Sequence, residues 1–480
     1  MVLDTRILIR RMESQQQKII SPPIMKRRKF AKITLAAAAS VAGFPTIVPS
    51  SVFGKDAPSK KIQIGQIGCG RIAHEMDMPG ILKHDVARVI AVCDLDSKRL
   101  DHAKKFVESH YEKKGQKAAI VKTYGDFREL LKSGEIDAVA ISTPDHWHSE
   151  PVVAAALAGK DIYVQKPLSM TVAEGRSVSD TVKAKGRIFQ IGSQQRSTAQ
   201  FHTACELVRN GRLGKLHTVR IGLPTDPGGN EEPEMKGPPN LNYEMWLGAT
   251  PLAPYTEKRV HPQADFGRPG WLRIDSYCLG MVTAWGSHHV DIAHWGMGTE
   301  LTGPIEIEGK AEYPKKGLWN VHGPYHVEAK YANGVTMIMD NKLPNGVRFE
   351  GSDGWLFVSR GGAKATASDP TSTEGKALAA SDPKILASKI GPNEIHLHKS
   401  TDHHLDWLTS IQTRKPAVTT AEEAHRSTSA CILTYIAMKL GRKLRWDPAT
   451  ERFLDDPEAN RMCSRPQRAP YGTEHWLKQA

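Results

Sequence analysis

The stretch IQIGQIGCGRIA, residues 62–73, decides how this chain is read. Residues 62–67 are a short β-rich apolar run, and they pass at once into G-x-G-x-x-A. Glycines at Gly68 and Gly70 allow a tight turn and let the backbone come close to a pyrophosphate, which the N–H groups of a following helix would hold. The spacing predicts that helix over 76–83 and a second strand over 88–93, ending at Asp94. A carboxylate there binds ribose hydroxyls and repels a 2′-phosphate, so Asp94 favours NAD over NADP. Gly68, Cys69, Gly70, Arg71, Ile72 and Asp94 are the first candidate cofactor contacts. The glycine loop alone would also fit an ordinary βα turn; the flanking strands and Asp94 complete the signal.

The winding continues outward. Residues 136–143 read as a strand ending in TPDHWH, Thr143 to His148, and residues 161–165 as another ending in Gln165-Lys166-Pro167. A helix over 171–185 and a strand over 187–192 follow. Both motifs lie beyond the carboxyl ends of strands, where open parallel sheets bind ligands. Thr143, Pro144, Asp145, His148, Gln165 and Lys166 therefore join the cofactor set. Gln194 and Arg196, in GSQQRS, are placed to reach the nicotinamide end or the substrate.

A second domain opens with a strand at 218–223. The excursion over 224–277 is rich in Pro, Gly and Trp, and loops this long usually serve a site. Trp246, Trp271, Arg273 and Tyr277 suit a sugar, although loop tryptophans also serve as satellite core. Strands are expected at 305–313, 326–331, 335–341 and 355–360, a surface loop over 361–393, and helices at 402–413 and 421–440. Before the strands stands TAWGSHHVDIAHWGMG, residues 283–298. His288, His289, Asp291 and His294 could be read as a metal cluster, but no fourth ligand element is clear, and no metal is expected.

In order, GxGxxA, Asp94, TPxxxH, QKP and the GxHxxD of Gly286, His288 and Asp291 resemble the Gfo/Idh/MocA oxidoreductase family, over about residues 61–453. The resemblance implies an N-terminal Rossmann domain with a doubly wound parallel sheet (60–192). It implies a C-terminal α/β domain with an open, largely antiparallel sheet (193–453); beyond the resemblance, residues 454–480 read as a tail lying across the surface. The resemblance also implies hydride chemistry between NAD or NADP and sugars, polyols or related compounds, and pairing of chains into a homo-oligomer through the open sheet. Lys166 becomes the candidate base or proton donor and His288 the second acid/base. Arg196, Arg273, Tyr277, Trp285, His288, His289 and Asp291 are the candidate substrate contacts. Gln165 replaces the commoner Glu and would sit beside the nicotinamide ribose. The family's Asp four residues before the His is here Ala284. His288 thus lacks its usual partner; Asp291 could orient the imidazole instead, or pair locally.

Composition narrows the partners. The chain has 480 residues and a formal net charge of +13. Residues 1–54 hold nine Lys or Arg against two Asp or Glu, more than half of that surplus. The rest has no basic block with interleaved aromatics, so nucleic acid is not an expected partner. The six cysteines show neither CxxC nor zinc spacing and read as free thiols. Within the leader, MKRRKFAKITLAAAASVAGF (residues 25–44) resembles a twin-arginine signal built on Arg27 and Arg28. Its apolar run is too short and too rich in Ala and Ser for a membrane span. The expectation is export to the periplasm by the twin-arginine machinery, with Met25 a candidate start, cleavage near residues 50–54, and tethering to the membrane if the signal stays on; the alternative is a basic tail. That route carries folded proteins, so a tightly held NAD could be loaded first. The leading reading is an exported NAD-dependent oxidoreductase acting on a sugar hydroxyl. Two others stand beside it: a glycosidase working by oxidation, elimination and re-reduction, and a sugar-binding protein that has lost turnover.

Overall fold

A computed structural model describes residues 61–116, 120–229, 231–363, 372 and 376–479. The expected export signal and leader, residues 1–54, lies outside the described residues. Pro58–Ala480 form one compact unit.

The first sheet is built from β1 (Ile62–Ile67), β2 (Ala87–Cys93), β3 (Lys122–Tyr124), β4 (Ala138–Ile141), β5 (Asp161–Val164) and β6 (Phe189–Ile191). All pairs are parallel and the order is β3-β2-β1-β4-β5-β6. This is the doubly wound order that leaves a crevice at the carboxyl ends of β1 and β4. Every residue of β4 and of β5 is buried, as helices on both faces require.

The second sheet holds β7 (Leu216–Gly222), β8 (Pro304–Ala311), β9 (Tyr325–Tyr331), β10 (Thr336–Asp340), β11 (Gly346–Gly351), β12 (Gly354–Val358), β13 (Leu378–Ala380), β14 (Leu444–Asp447) and β15 (Arg452–Phe453). Its order is β13-β12-β11-β7-β10-β9-β8-β14-β15, antiparallel except for β7 against β10. Burial alternates residue by residue along β9. One face therefore packs on the core while the other turns His326, Glu328 and Lys330 outward.

Helix Ala421–Leu440 lies on the buried face and carries the capping box of Thr420 and Glu423. Helix His403–Thr413 crosses back to the first sheet, where Trp407 and Leu408 are fully buried among Ile64, Val89 and Ala138. Gly80 makes this approach possible, since a Cβ there would meet the His404 ring at 2.3 Å.

Several elements differ from the sequence reading. The helix after the glycine loop begins earlier than 76. Ala73–Asp77 form a widened turn that runs into Met78–Leu82, and this brings the first helical N–H groups up to the loop. Strand β13 and helix Pro383–Ala387 lie inside the segment expected to be loop. The tail, expected to lie across the surface, is anchored into it near its end. Tyr471 is buried, and the Gly472 N–H and Trp476 Nε1 both donate to the Glu150 carboxylate, at 2.7 and 3.1 Å. The tail thus closes on the Rossmann domain.

Because Trp407 seals the later helices to the first sheet, Trp407→Ala should destabilise the fold by about 3–5 kcal/mol. Chemical denaturation should show one transition moved to lower denaturant, with both domains unfolding together.

Candidate active site

Two adjoining cavities open at the carboxyl ends of the first sheet. The larger has an empty volume of about 1190 Å³ and runs along the glycine loop. Gly68 has φ 80°, and a Cβ there would come within 2.8 Å of the Ser142 backbone, so only glycine fits. A Cβ on Gly70 would meet nothing within 4 Å, because that position faces the cleft. Asp94 lines the cleft and braces its loop: Oδ2 accepts from the Cys69 N–H at 2.6 Å and Oδ1 from the Asp96 N–H at 2.8 Å. Burial pushes its carboxyl up from the usual range, and the two N–H donors oppose that shift.

Arg71, Ile72, Thr143, Pro144, Asp145, His148, Gln165 and Lys166 also line this cleft. Cys69 does not; its side chain is buried behind the loop. His148 ties two ligand loops together, with Nδ1 2.5 Å from the Pro167 carbonyl and Nε2 2.9 Å from that of Thr143. Burial pushes its pKa down to about 4, and the two carbonyl acceptors oppose that shift. Asp145 is buried, and Oδ2 has no hydrogen-bond partner among the described residues. Burial pushes its carboxyl up to about 7, with the Lys166 ammonium pulling the other way. An orphaned polar atom in the wall, a glycine opening and a ribose-binding carboxylate fit a dinucleotide.

The excursion after β7 roofs this cleft. The Ser97 N–H donates to the Asn240 carbonyl and the Asn242 N–H to that of Leu95, at 2.8 and 3.0 Å. His261 Nε2 lies 2.9 Å from Asp96 Oδ2, and the Arg99 guanidinium donates to the Pro262 and Asp265 carbonyls. Trp246 and Trp271 line the cofactor cleft as part of this roof, not a sugar site. Sequence reasoning missed the roof because some of its anchors are backbone groups, which carry no residue signature, and its side-chain anchors, Arg99 and His261, meet partners far away along the chain.

The smaller cavity has an empty volume of about 540 Å³ and shares Arg71, Ile72, Gln165, Lys166 and Leu272 with the larger. Gln194, Trp285 and His288 complete the expected part of its wall. Ala284, which the sequence marked as the family's missing Asp, lines it too, and Arg268, Met281 and Arg360 complete the part that the sequence did not single out. Arg360 stacks over the Trp285 ring at 4.7 Å. Lys166 Nζ donates to the Ala284 carbonyl at 2.5 Å. Where the family's Asp would stand, a backbone carbonyl meets the lysine instead. His288 is buried, and its Nδ1 has no partner among the described residues. Burial, with the positive fields of Arg360 and Lys166, holds its pKa well below the usual value, so the ring is neutral.

Five predicted substrate contacts lie outside both cavities. Arg196 and Asp291 form a buried bidentate pair, at 2.7 Å for both contacts, because neither charge could be buried alone. His289 Nε2 lies 3.1 Å from Trp285 Nε1 and 2.9 Å from Asn345 Oδ1, behind the wall. Tyr277 packs 5.0 Å from the Trp246 ring, and Arg273 covers Trp319 at 4.4 Å. Gln165 reaches the cavities but turns its amide away. It donates at 2.9 and 3.1 Å to the fully buried Asp77, whose charge needs partners more than a ribose does. His294 turns to the Tyr331 hydroxyl at 2.7 Å.

Comparison with known proteins agrees with this geometry. Residues 62–193 match the oxidoreductase family with an NAD-binding Rossmann fold, Gfo/Idh/MocA. Residues 226–370 and 381–473 match that family's C-terminal α/β domain. The chain belongs to this family. Among curated relatives, an uncharacterized oxidoreductase of Bacillus subtilis, YrbE, is 24% identical over 66% of this chain and 77% of its own length. The myo-inositol 2-dehydrogenase of Thermotoga maritima is 33% identical over 38% of this chain and 48% of its own length. The chain thus spans only about half of that second relative. The solved aldose-aldose oxidoreductase from Caulobacter crescentus superposes with a TM-score of 0.53 at 19% identity, covering 80% of this chain and 99% of that one. Its likeness is one of fold. The N-terminal domain is an NAD-binding domain, as Asp94 implied.

Replacing that carboxylate isolates its role. Asp94→Ser should weaken NAD binding by about 10–100-fold, the usual loss for hydrogen bonds to a charged group. It should weaken NADP binding less, so the preference narrows. Titration of the folded protein with both cofactors measures this.

Proposed function

We propose that the protein is an exported NAD-dependent oxidoreductase that oxidises a hydroxyl of a sugar or sugar derivative and retains its cofactor between half-reactions. The observation that carries this reading is Lys166, which faces both cavities under a roof anchored to the Rossmann loops. Bound NAD supplies the hydride acceptor. Lys166, as the neutral amine, takes the proton of the substrate hydroxyl on oxidation, and the ammonium so formed returns it on reduction. The carbonyl of Ala284 aims the ammonium, and the roof from Asn240 to Leu272 excludes water and slows cofactor loss. His288, neutral and with an open Nδ1, hydrogen-bonds the reacting hydroxyl and relays its proton. Export supports retention: a cofactor that never leaves needs no recycling outside the cytoplasm. Pairing of two chains through the outward face of β9 and its neighbours belongs to the same proposal.

The test follows cofactor and substrate together. Purified protein, once denatured, should release NAD or NADH in near-stoichiometric amount. In single turnovers with sugars and polyols, Lys166→Ala and His288→Ala should each lower the rate by about 10²–10⁴-fold. Cofactor content should survive, because Asp94 and the glycine loop are untouched. Aryl glycosides that release aglycone without net cofactor reduction would replace this reading with oxidation, elimination and re-reduction. Absence of turnover with every substrate would overturn it.

Export is tested separately. Changing Arg27 and Arg28 together to Lys should leave folded, cofactor-loaded protein in the cytoplasmic fraction. Unchanged periplasmic protein would show that the twin-arginine route is not used.

A further inference from the structure

Asp145 and Lys166 follow the ends of adjacent parallel strands, for β4 ends at Ile141 and β5 at Val164, and these two residues pair. The turns that carry them are bolted together. His148 Nδ1 lies 2.5 Å from the Pro167 carbonyl, and Ser149 Oγ donates to that of Leu168 at 3.1 Å. Both side chains line the larger cavity. Asp145 is buried, and its Oδ2 has no hydrogen-bond partner among the described residues. A buried carboxylate is costly without an answering charge, and Lys166 is a cation whose field reaches it. Of the other titratable groups nearby, His146 and His148 on the same turn are held by main-chain carbonyls. The Cys278 thiol, kept protonated by burial, is a weak hydrogen-bonding neighbour of the carboxyl, and the field of Asp226 reaches that thiol. Cys278 packs with Ala284, the residue standing where the family has its Asp, and the Ala284 carbonyl receives the Lys166 ammonium. Asp145 thus comes to the place that the missing aspartate would serve.

We propose that Asp145 is a positioning residue for the proton chemistry of Lys166, supplying from the Rossmann side the carboxylate that position 284 lacks. As the amine takes the proton of the substrate hydroxyl, the ammonium forms within reach of the Ala284 carbonyl and in the field of Asp145. An opposite charge favours the charged form, so the carboxylate makes the lysine a stronger base. The carbonyl aims the lysine; the carboxylate answers its charge. On reduction the ammonium gives the same proton back to the substrate oxygen. Two groups coupled in this way titrate as a pair, so a change in one is read in the other. The inference rests on the reading of Lys166 as the base of a hydroxyl oxidation.

The test reads the lysine directly. Trace acetylation of the purified, cofactor-loaded protein across a range of pH, followed by mass spectrometry of the peptide that holds Lys166, locates the pH at which this amine loses its proton, with no substrate present. Asp145→Asn should move that midpoint down by about 1–3 pH units, the usual effect of losing a neighbouring opposite charge. Adding Ala284→Asp to this variant should move it back up; if it stays down, the two positions are not equivalent and the proposal fails. In turnover, the pH at which the rate rises should fall by the same amount in Asp145→Asn, whereas a purely structural role would lower the rate alike at every pH. An unmoved midpoint overturns the proposal and leaves the oxidoreductase reading intact. A moved midpoint without turnover on any substrate supports the pairing while the oxidoreductase reading fails. If Asp145→Asn does not fold, infrared titration of the buried carboxyl decides. Lys166→Met should raise the pH at which Asp145 ionises, because the ammonium that held it down is gone, and an unmoved carboxyl overturns the proposal.

Discussion

A guanidinium and a carboxylate sealed from water hold this molecule's two halves in register. Arg196 follows the last strand of the Rossmann sheet, and Asp291 lies one turn beyond His288 on helix Gly286–Met297. Their side chains are 2% and 1% exposed. Burial works against the charge of Arg196, but Asp291 more than offsets it and pushes the guanidinium's pKa up. Arg196 also donates to the Val418 carbonyl and lies 5.0 Å over Trp295. One side chain therefore joins the end of β6, the helix that carries His288, and the approach to the long C-terminal helix. Losing either partner would strand a buried charge, at a cost of about 3–5 kcal/mol. Lys166 follows β5, the neighbour of β6, so the pair also sets the distance between the lysine and the imidazole. Its contribution to chemistry is positional.

How the site could be read in advance follows from where its signals lie. The glycine loop, Asp94, the TPDHWH turn and Lys166 were legible because each sits at the end of a strand, where sequence order dictates position. The strands declared themselves by apolar runs and by alternation. Arg268 and Arg360 were not legible: one lies in a Pro-rich excursion, the other just after β12, and only the fold brings them to one wall. Arg196, Asp291, Tyr277 and His289 carry the residue types of a substrate site, yet they are structural. A sequence shows that a polar group is present but not that its partner is another buried group. Gln165 illustrates the same point, since its partner Asp77 stands 88 residues away.

The roof of the cofactor cleft shows how a long irregular segment can be ordered without strands of its own. Between Asp226 and Tyr277 it has only short helical turns, of which Tyr243–Leu247 is one. It is tied down by carbonyls and by aromatic packing. The Trp246 carbonyl receives Trp147 Nε1 at 2.8 Å, and the Trp246 ring stacks against His146, Tyr243 and Tyr277. The motif that addresses the cofactor therefore also anchors the cover. Cleft and cover are one cooperative piece, and opening it would expose a buried aromatic cluster.

Ala284 joins this architecture to the chemistry. In the family pattern a carboxylate at this position faces the lysine; here a small apolar residue packs with Leu272 and Cys278, and the main-chain carbonyl takes the ammonium. A carbonyl can aim a lysine, but it brings no net charge. Arg71, Arg268 and Arg360 line the same cavity as Lys166. An aspartate at 284 would instead place a negative charge beside the lysine. The loss of the family's Asp therefore changes the charge beside Lys166, while the main chain keeps the lysine in place.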